Sequence, residues 1–369
     1  METLLEMVLM RLEEPDPGRA IRTFQSVNDR GVPLLLLDKL KSLLIYYSNT
    51  FCDGKMGLDQ FINDHFGEIF KIFAKIKKSN HIFSVGGSKF DEGDIFRYHA
   101  GSQKFDGIEF LGYYEVSTEN TYEKLKDELK KVKKDELENF IRFYVSDLKN
   151  FYQAFLDLLS EIDTNPTTFK VMLINKINPL FFNSLIRLKI NNELDDETMK
   201  LFAKTDILLF KVERDMKATA YNLINEYLKK GKEGLKNKMI AQCRNDIEQT
   251  SWKLVKNAFD LSYSSCLHYV FFKKNCQEMG LFDLKKLIRE KKLSQEQEHI
   301  IPQNLLELDN EIEIQKLGFE GKTDLEDYIN TYGNFISLEG PLNSQASDKD
   351  LYGKDEIYKN SEIPFNRCF

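Results

Sequence analysis

Cysteine is scarce and its pattern is unpaired. The five residues at positions 52, 243, 266, 276 and 368 are odd in number and contain no CxxC pair. That usage argues against a disulfide framework and a zinc ribbon, and it fits a reducing cytoplasm. A basic N-terminal stretch ahead of an apolar core is also missing, since Glu2, Glu6, Glu13 and Glu14 stand there instead. No uninterrupted apolar run reaches membrane-spanning length, so nothing in the sequence targets or crosses a membrane. Excess positive charge is absent as well. A net charge of -7 and a pI near 5.5 leave no chain-wide basic footprint, so any contact with a polyanion has to be local. Neither an internal repeat nor a low-complexity tract occurs, which excludes a solenoid.

What is present is apolar and aromatic. Hydrophobic residues make up 42% of the 369, with 28 Phe and 16 Tyr, enough to bury a core and offset ordering entropy over two or three folded units. Most of the chain carries helical spacing: Leu137, Ile141, Tyr144, Leu148, Phe151, Phe155, Leu158 and Ile162 form one stripe. Asn165-Pro166 punctuates it, because the residue before proline avoids the helical region, and a new helical stretch follows towards Ile190. Further helical patterns cover 195–229, 236–261 and 264–279, whereas the glycine-containing stretch 84–112 reads as irregular loops with room for a short strand. Near Ser294 the spacing changes, and two short β-like runs follow at 297–301 and 334–338. The expected fold class is therefore mainly α, a helical arm followed by a small α+β module. The expected boundaries are a helical domain over 51–262 and the α+β module over 263–369.

The tail concentrates the polar chemistry. It contains Glu298-His299-Ile300-Ile301-Pro302-Gln303-Asn304, then Gly333-Asn334-Phe335-Ile336-Ser337-Leu338, then Leu342-Asn343 ahead of a helical pattern through Lys354. Phosphodiester hydrolysis needs a base for water, and a histidine, with an ordinary pKa of about 6.5, suits that role. His299 is the candidate base. The reaction also needs a cation beside the leaving oxygen, and the hard oxygens of Glu298 and Asn343 suit Mg²⁺ or Mn²⁺, which keeps several waters and takes further ligands from a phosphate. Neighbours on a regular strand point to opposite faces, so Glu298 and His299 should sit where the strand ends. Asn334 would hold the loop between the strands or orient the imidazole.

These residues resemble a known family. The His-Ile-x-Pro-Gln run, the Gly-Asn-hydrophobic strand and the following Leu-Asn are similar to the HNH, or His-Me finger, module of GmrSD-type restriction nucleases, a ββα-metal fold. Upstream, the run Ile21 to Gly31 followed by Leu37-Asp38-Lys39-Leu40-Lys41 resembles the closing motif of that family's N-terminal sensor domain, which makes residues 1–50 a C-terminal remnant of such a domain. Ser264 to Phe272 resembles the helix that precedes the nuclease module. The resemblance implies a cytoplasmic defence enzyme that cuts foreign or modified phage DNA, with His299 and Asn334 catalytic and Glu298 and Asn343 holding Mg²⁺. The sensor's Asp-Gly-Gln-Gln-Arg nucleotide signature is absent, so no nucleotide-cofactor site is expected in this chain. A separate sensor or NTPase chain, or a homo-oligomer, is the expected partner beside DNA.

Several residues keep two readings. Lys285, Lys286, Arg289, Lys291 and Lys292 fit a solvated helix face, with DNA phosphates as the alternative, and Gln303 and Lys354 join them as DNA-contact candidates. Lys124, Lys126, Lys130, Lys131, Lys133 and Lys134 alternate with acids and fit a solvated face more strongly. Asn28, Arg30 and Gly31 fit a glycine turn before a Pro33-initiated helix, with contact to a nucleotide or modified base as the alternative. His65, His81, His99 and His268 lack partners at ligand spacing and read as structural or exposed. Residues 296–369 carry 16 acidic against 6 basic residues, a net of -10, so the tail itself repels DNA. Two other functions fit the same tail: a non-catalytic interaction or regulatory subunit of a defence complex, and an RNA-cutting relative.

Overall fold

The computed structural model describes residues 35–52, 56–87, 89–102, 121–212, 217–256, 296–307, 311–347, 349–363 and 366–367, with Thr23 and Lys286 standing alone. In chain order the helices before the sheet are α1 (Leu36–Phe51), α2 (Met56–Lys78), α3 (Ile82–Gly86), α4 (Glu92–Ala100), α5 (Thr121–Lys131), α6 (Leu137–Glu161), α7 (Pro166–Phe169), α8 (Phe182–Ile190), α9 (Asp196–Asp206) and α10 (Lys217–Lys256). Then come β1 (Glu296–His299), α11 (Glu311–Lys316), α12 (Lys322–Ile329), β2 (Phe335–Leu338), α13 (Gly340–Ala346) and α14 (Leu351–Tyr358). The protein is thus mainly helical, and the described residues hold one two-stranded sheet. Among them no helix is long and apolar enough to cross a membrane.

The chain divides into two compact units made of alternating segments. One comprises Met1–Asp163, Pro179–Leu194 and Tyr221–Leu235; the other comprises Thr164–Asn178, Asp195–Ala220 and Lys236–Phe369.

In the first unit α6 is the central element, with α2 and α8 packed on it. All eight residues of its apolar stripe, from Leu137 to Ile162, are buried. Helix α2 answers with Leu58, Ile62, Phe66 and Ile69, spaced to present one face. Helix α1, which carries Leu37-Asp38-Lys39-Leu40-Lys41, has no capping side chain at Leu35. The buried Glu92 carboxylate takes that place, accepting from the Leu36 and Leu37 N–H groups. Burial raises the Glu92 pKa above its ordinary value, against the pull of those two bonds.

The expected irregular stretch 84–112 instead contains α4. Its start is fixed by a capping box: Asp91 accepts from Gly93 N–H at 2.8 Å, and Asp94 accepts from Asp91 N–H at 3.1 Å. Burial of Ile95, Phe96 and Tyr98 then outweighs the weak helix propensity of Gly93. Residues 103–112 of that stretch lie outside the described residues. The alternating charges of α5 pair with one another at i,i+3, as at Lys126 with Glu123 and Lys130 with Asp127, which is a solvated face. Helix α10 covers parts of two expected helices, 195–229 and 236–261, and breaks at Gly231, where φ is 67° and ψ is -165°.

In the second unit Asn165 caps α7, accepting from Thr167 and Thr168 N–H at 2.7 and 3.1 Å. The helical stretch expected from there to Ile190 is interrupted by a π-helical segment at Lys170–Ile174 and by Lys176 at φ 47°. The patterns expected at 264–279 lie outside the described residues, as does most of the Ile21 to Gly31 motif.

The C-terminal part of this unit is built on the antiparallel pairing of β1 with β2, in the register Glu296 to Leu338, Glu298 to Ile336 and His299 to Phe335. Ile336 and Leu338 join Ala346, Ile357 and Tyr358 in one buried cluster, so α13 and α14 fold back on the hairpin. The connection from β1 to β2 builds its own core from Leu305, Ile314, Leu325 and Ile329. Buried Glu339, at the β2–α13 junction, accepts from Ser361 Oγ at 2.8 Å and from Glu362 N–H at 2.7 Å, which ties the segment after α14 to the sheet.

Candidate active site

Strand β1 ends at His299 because the next residues hydrogen-bond to a side chain and a turn instead of continuing the ladder. Ile300 N–H donates to the Asn334 carbonyl at 2.8 Å, and Ile301 N–H donates to Asn334 Oδ1 at 2.7 Å. Asn334 Nδ2 in turn donates to the Ile301 and Ile329 carbonyls at 3.0 and 2.7 Å. Asn334 is buried, and these contacts make it the clamp that ties the segment after β1 to the end of α12; the bond to the His299 ring comes from elsewhere.

That bond comes from Asn330, which the sequence reading did not single out. His299 Nε2 lies 3.2 Å from Asn330 Oδ1, and Gln303 Nε2 donates to the same oxygen at 3.0 Å. An amide oxygen only accepts, so Nε2 carries the proton and Nδ1 carries the lone pair. The ring leans on Phe335, with centroids 4.4 Å apart. Burial lowers the His299 pKa below its ordinary value, the nearby Lys354 charge adds to this, and the Asn330 bond opposes it. The neutral imidazole needed in a base is therefore favoured at neutral pH.

Glu298, His299, Gln303, Asn343 and Lys354 line one mainly polar pocket of about 280 Å³, together with Pro302, Ser344 and Ser347. The position of β1's last residue lets Glu298 and His299 share it, as the expectation of a strand end requires. Asn343 arrives from α13, and its amide oxygen is buried. Lys354 arrives from α14 and is itself buried: its Nζ contacts Glu298 Oε1 and donates to the His299 carbonyl at 2.6 Å. Lys354 is thus a buried ion-pair partner of Glu298 here. Lys286 is exposed, and Lys285, Arg289, Lys291 and Lys292 lie outside the described residues.

A carboxylate and an amide oxygen in one pocket are hard donors, the type that suits Mg²⁺ or Mn²⁺. Among the described residues no group of three or more His, Cys, Asp or Glu side chains converges, so waters and substrate would complete the shell of any such ion. The donor set fits, and Lys354 stands on one of its two members.

The remaining histidines do other work. His65 Nδ1 lies 2.9 Å from the Phe61 carbonyl, and His81 lies 3.1 Å from Asp163. His99 is buried 2.9 Å from Asp147, while His268 lies outside the described residues.

A two-stranded antiparallel sheet with a histidine at its strand end, trailed by short helices that bring an amide and a lysine to one pocket, defines a small α+β module. Residues 244–369 match the family of GmrSD restriction endonucleases, C-terminal domain. This third of the chain is therefore similar to the C-terminal domain of those endonucleases. No curated protein and no solved structure matches the chain.

Proposed function

We propose that the chain is a divalent-metal-dependent DNA endonuclease of HNH type that nicks foreign or modified DNA in defence. The observation that carries this is the convergence of Glu298, His299 and Asn343 on one pocket inside the family-matched region. In this reading His299 Nδ1 takes the proton of the attacking water, while Asn330 holds the imidazole through Nε2 and stabilises the imidazolium that forms. Glu298 and Asn343 would hold the cation, which supplies positive charge beside the leaving oxygen. Asn334 acts through the loop it clamps and Gln303 through Asn330; neither is assigned a bond to substrate. One such pocket among the described residues would cut one strand at a time, hence nicking.

Supercoiled plasmid incubated with the full chain and Mg²⁺ or Mn²⁺, with modified phage DNA in parallel, tests the reading. Relaxed circles should accumulate with wild type and fall by about 10²- to 10⁴-fold with His299→Ala, the range for loss of a general base. Equal conversion by the two proteins would overturn the assignment. A second reading, a non-catalytic subunit of a defence complex, draws on the Lys354 contact to Glu298. Absence of Mn²⁺ uptake even with DNA would favour it.

A further inference from the structure

We propose that Lys354 is an internal counter-ion that competes with a divalent cation for Glu298, and that DNA phosphate releases it, so that metal and DNA bind this site together. The inference rests on the metal-dependent nuclease reading above. Lys354 is 1% exposed and Glu298 6%, and lysine is almost never buried this completely without a partner of opposite charge. Its ammonium has two acceptors at the place where β1 ends: Glu298 Oε1 and the His299 carbonyl. It therefore lies across the carboxylate and the backbone of the proposed base.

The position is imposed by the fold. Helix α14 starts at Asp350, whose side chain accepts from Gly353 N–H at 2.8 Å, and buries Ile357 and Tyr358 in the cluster under the hairpin. Lys354 then has its stem in the interior and its charge at the pocket shared with Asn343.

Charge makes the competition unavoidable. Among the described residues lining this pocket Glu298 is the sole acid and Lys354 the sole lysine or arginine. A divalent cation drawn to Glu298 meets the ammonium at short range, where like charges in a poorly solvated site repel strongly. Metal affinity without DNA is therefore held down. A phosphate entering the pocket offers the ammonium a second anion, frees the Glu298 oxygen, and contributes its own oxygen to the cation. Each ligand then raises the affinity of the other by the same factor.

Mn²⁺ titration of the full chain by calorimetry, with and without a non-hydrolysable phosphorothioate duplex, tests this. Lys354→Met keeps the stem and removes the charge, Lys354→Arg keeps the charge, and Glu298→Gln removes the anion. Wild type and Lys354→Arg should bind Mn²⁺ weakly alone and about tenfold more tightly with DNA, within the usual span of coupling between sites. Lys354→Met should bind it about tenfold more tightly without DNA and show little further gain with DNA. A Lys354→Met affinity equal to or weaker than wild type, with binding lost in Glu298→Gln, would overturn the counter-ion role and leave the metal assignment standing. Binding that Glu298→Gln does not weaken would overturn the assignment of Glu298 to metal, and the inference with it. The Mn²⁺-induced rise in Tm gives an independent readout: it should be larger for Lys354→Met than for wild type, and an equal or smaller rise counts against the proposal.

Discussion

His299 and Asn334 are separated by the site geometry into two kinds of residue, and their variants should part accordingly. Asn334, itself buried, satisfies one N–H and two carbonyls, so Asn334→Ala leaves these buried and half-buried backbone groups unpaired and should cost about 3 kcal/mol. Asn330 is only half-buried and touches side chains, so Asn330→Ala should leave the Tm nearly unchanged while turnover falls about 10- to 100-fold, as for other groups that orient a catalytic imidazole. Thermal melts beside plasmid nicking would check both; an Asn330→Ala protein as active as wild type would remove its positioning role. In the other unit, Asp147 receives Arg187 through two bonds, at 2.6 and 3.1 Å, and His99 at 2.9 Å. Burial by itself pushes the Asp147 carboxyl up, but the His99 bond and the guanidinium outweigh it and hold the group well below the usual carboxylate range. A depressed acid stabilises the fold fully above its unfolded pKa of about 4 and loses that contribution as pH falls further. Asp147→Asn should therefore flatten the acid limb of a stability profile below about pH 4, while costing about 3 to 5 kcal/mol at neutral pH by leaving a mostly buried guanidinium unpaired. An unchanged acid limb would contradict the assignment.

At the scale of elements, α10 breaks where Gly231 takes φ 67°, a conformation that L-residues reach only with strain. A Cβ there meets no atom within 4 Å, so the penalty is conformational and not steric. Gly231→Ala should lower stability by about 1 to 2 kcal/mol, opposite in sign to the same change inside an unbroken helix. A denaturation midpoint that rises would show that the helix runs through. The same elements show what the sequence made legible. The α6 stripe and the two β-like runs were readable because burial on one face imposes a period of 3.6 or 2 on the residues themselves. The break at Gly231 was less so, since the apolar pattern merely pauses there and a glycine can be tolerated within a helix. Helix α4 was hidden by its glycine, although Asp91 and Asp94 carried the capping signal. That Glu298, His299 and Asn343 would meet in one pocket was readable from their order in the sequence. The partners of that chemistry were not: Asn330 and Lys354 reach His299 across 31 and 55 residues, and no local periodicity records a contact of that kind.

Over the whole molecule, charge decides how the proposed DNA substrate would be held. The chain is -7 overall and residues 296–369 are -10, which leaves a net of only +3 on the 295 residues before them. Among the described residues lining the candidate pocket the one lysine, Lys354, is already matched by Glu298, so it adds no net positive potential for an approaching phosphate. Binding that depends on released counterions needs several such cations, and each one steepens the salt dependence of affinity. With few of them offered by the tail, the proposed metal reading makes a divalent cation the main local attraction for phosphate. Fluorescence anisotropy with a labelled duplex at about 150 mM salt should then give a Kd weaker than about 100 µM in EDTA, at or beyond the weak end of ordinary non-specific binding. Adding Ca²⁺, which holds oxygen ligands of the same type, should tighten it about tenfold, a modest coupling between cation and phosphate. Tight binding in EDTA with a steep salt slope would instead place the DNA-holding surface on the residues before the tail and make the cation a participant in cleavage alone.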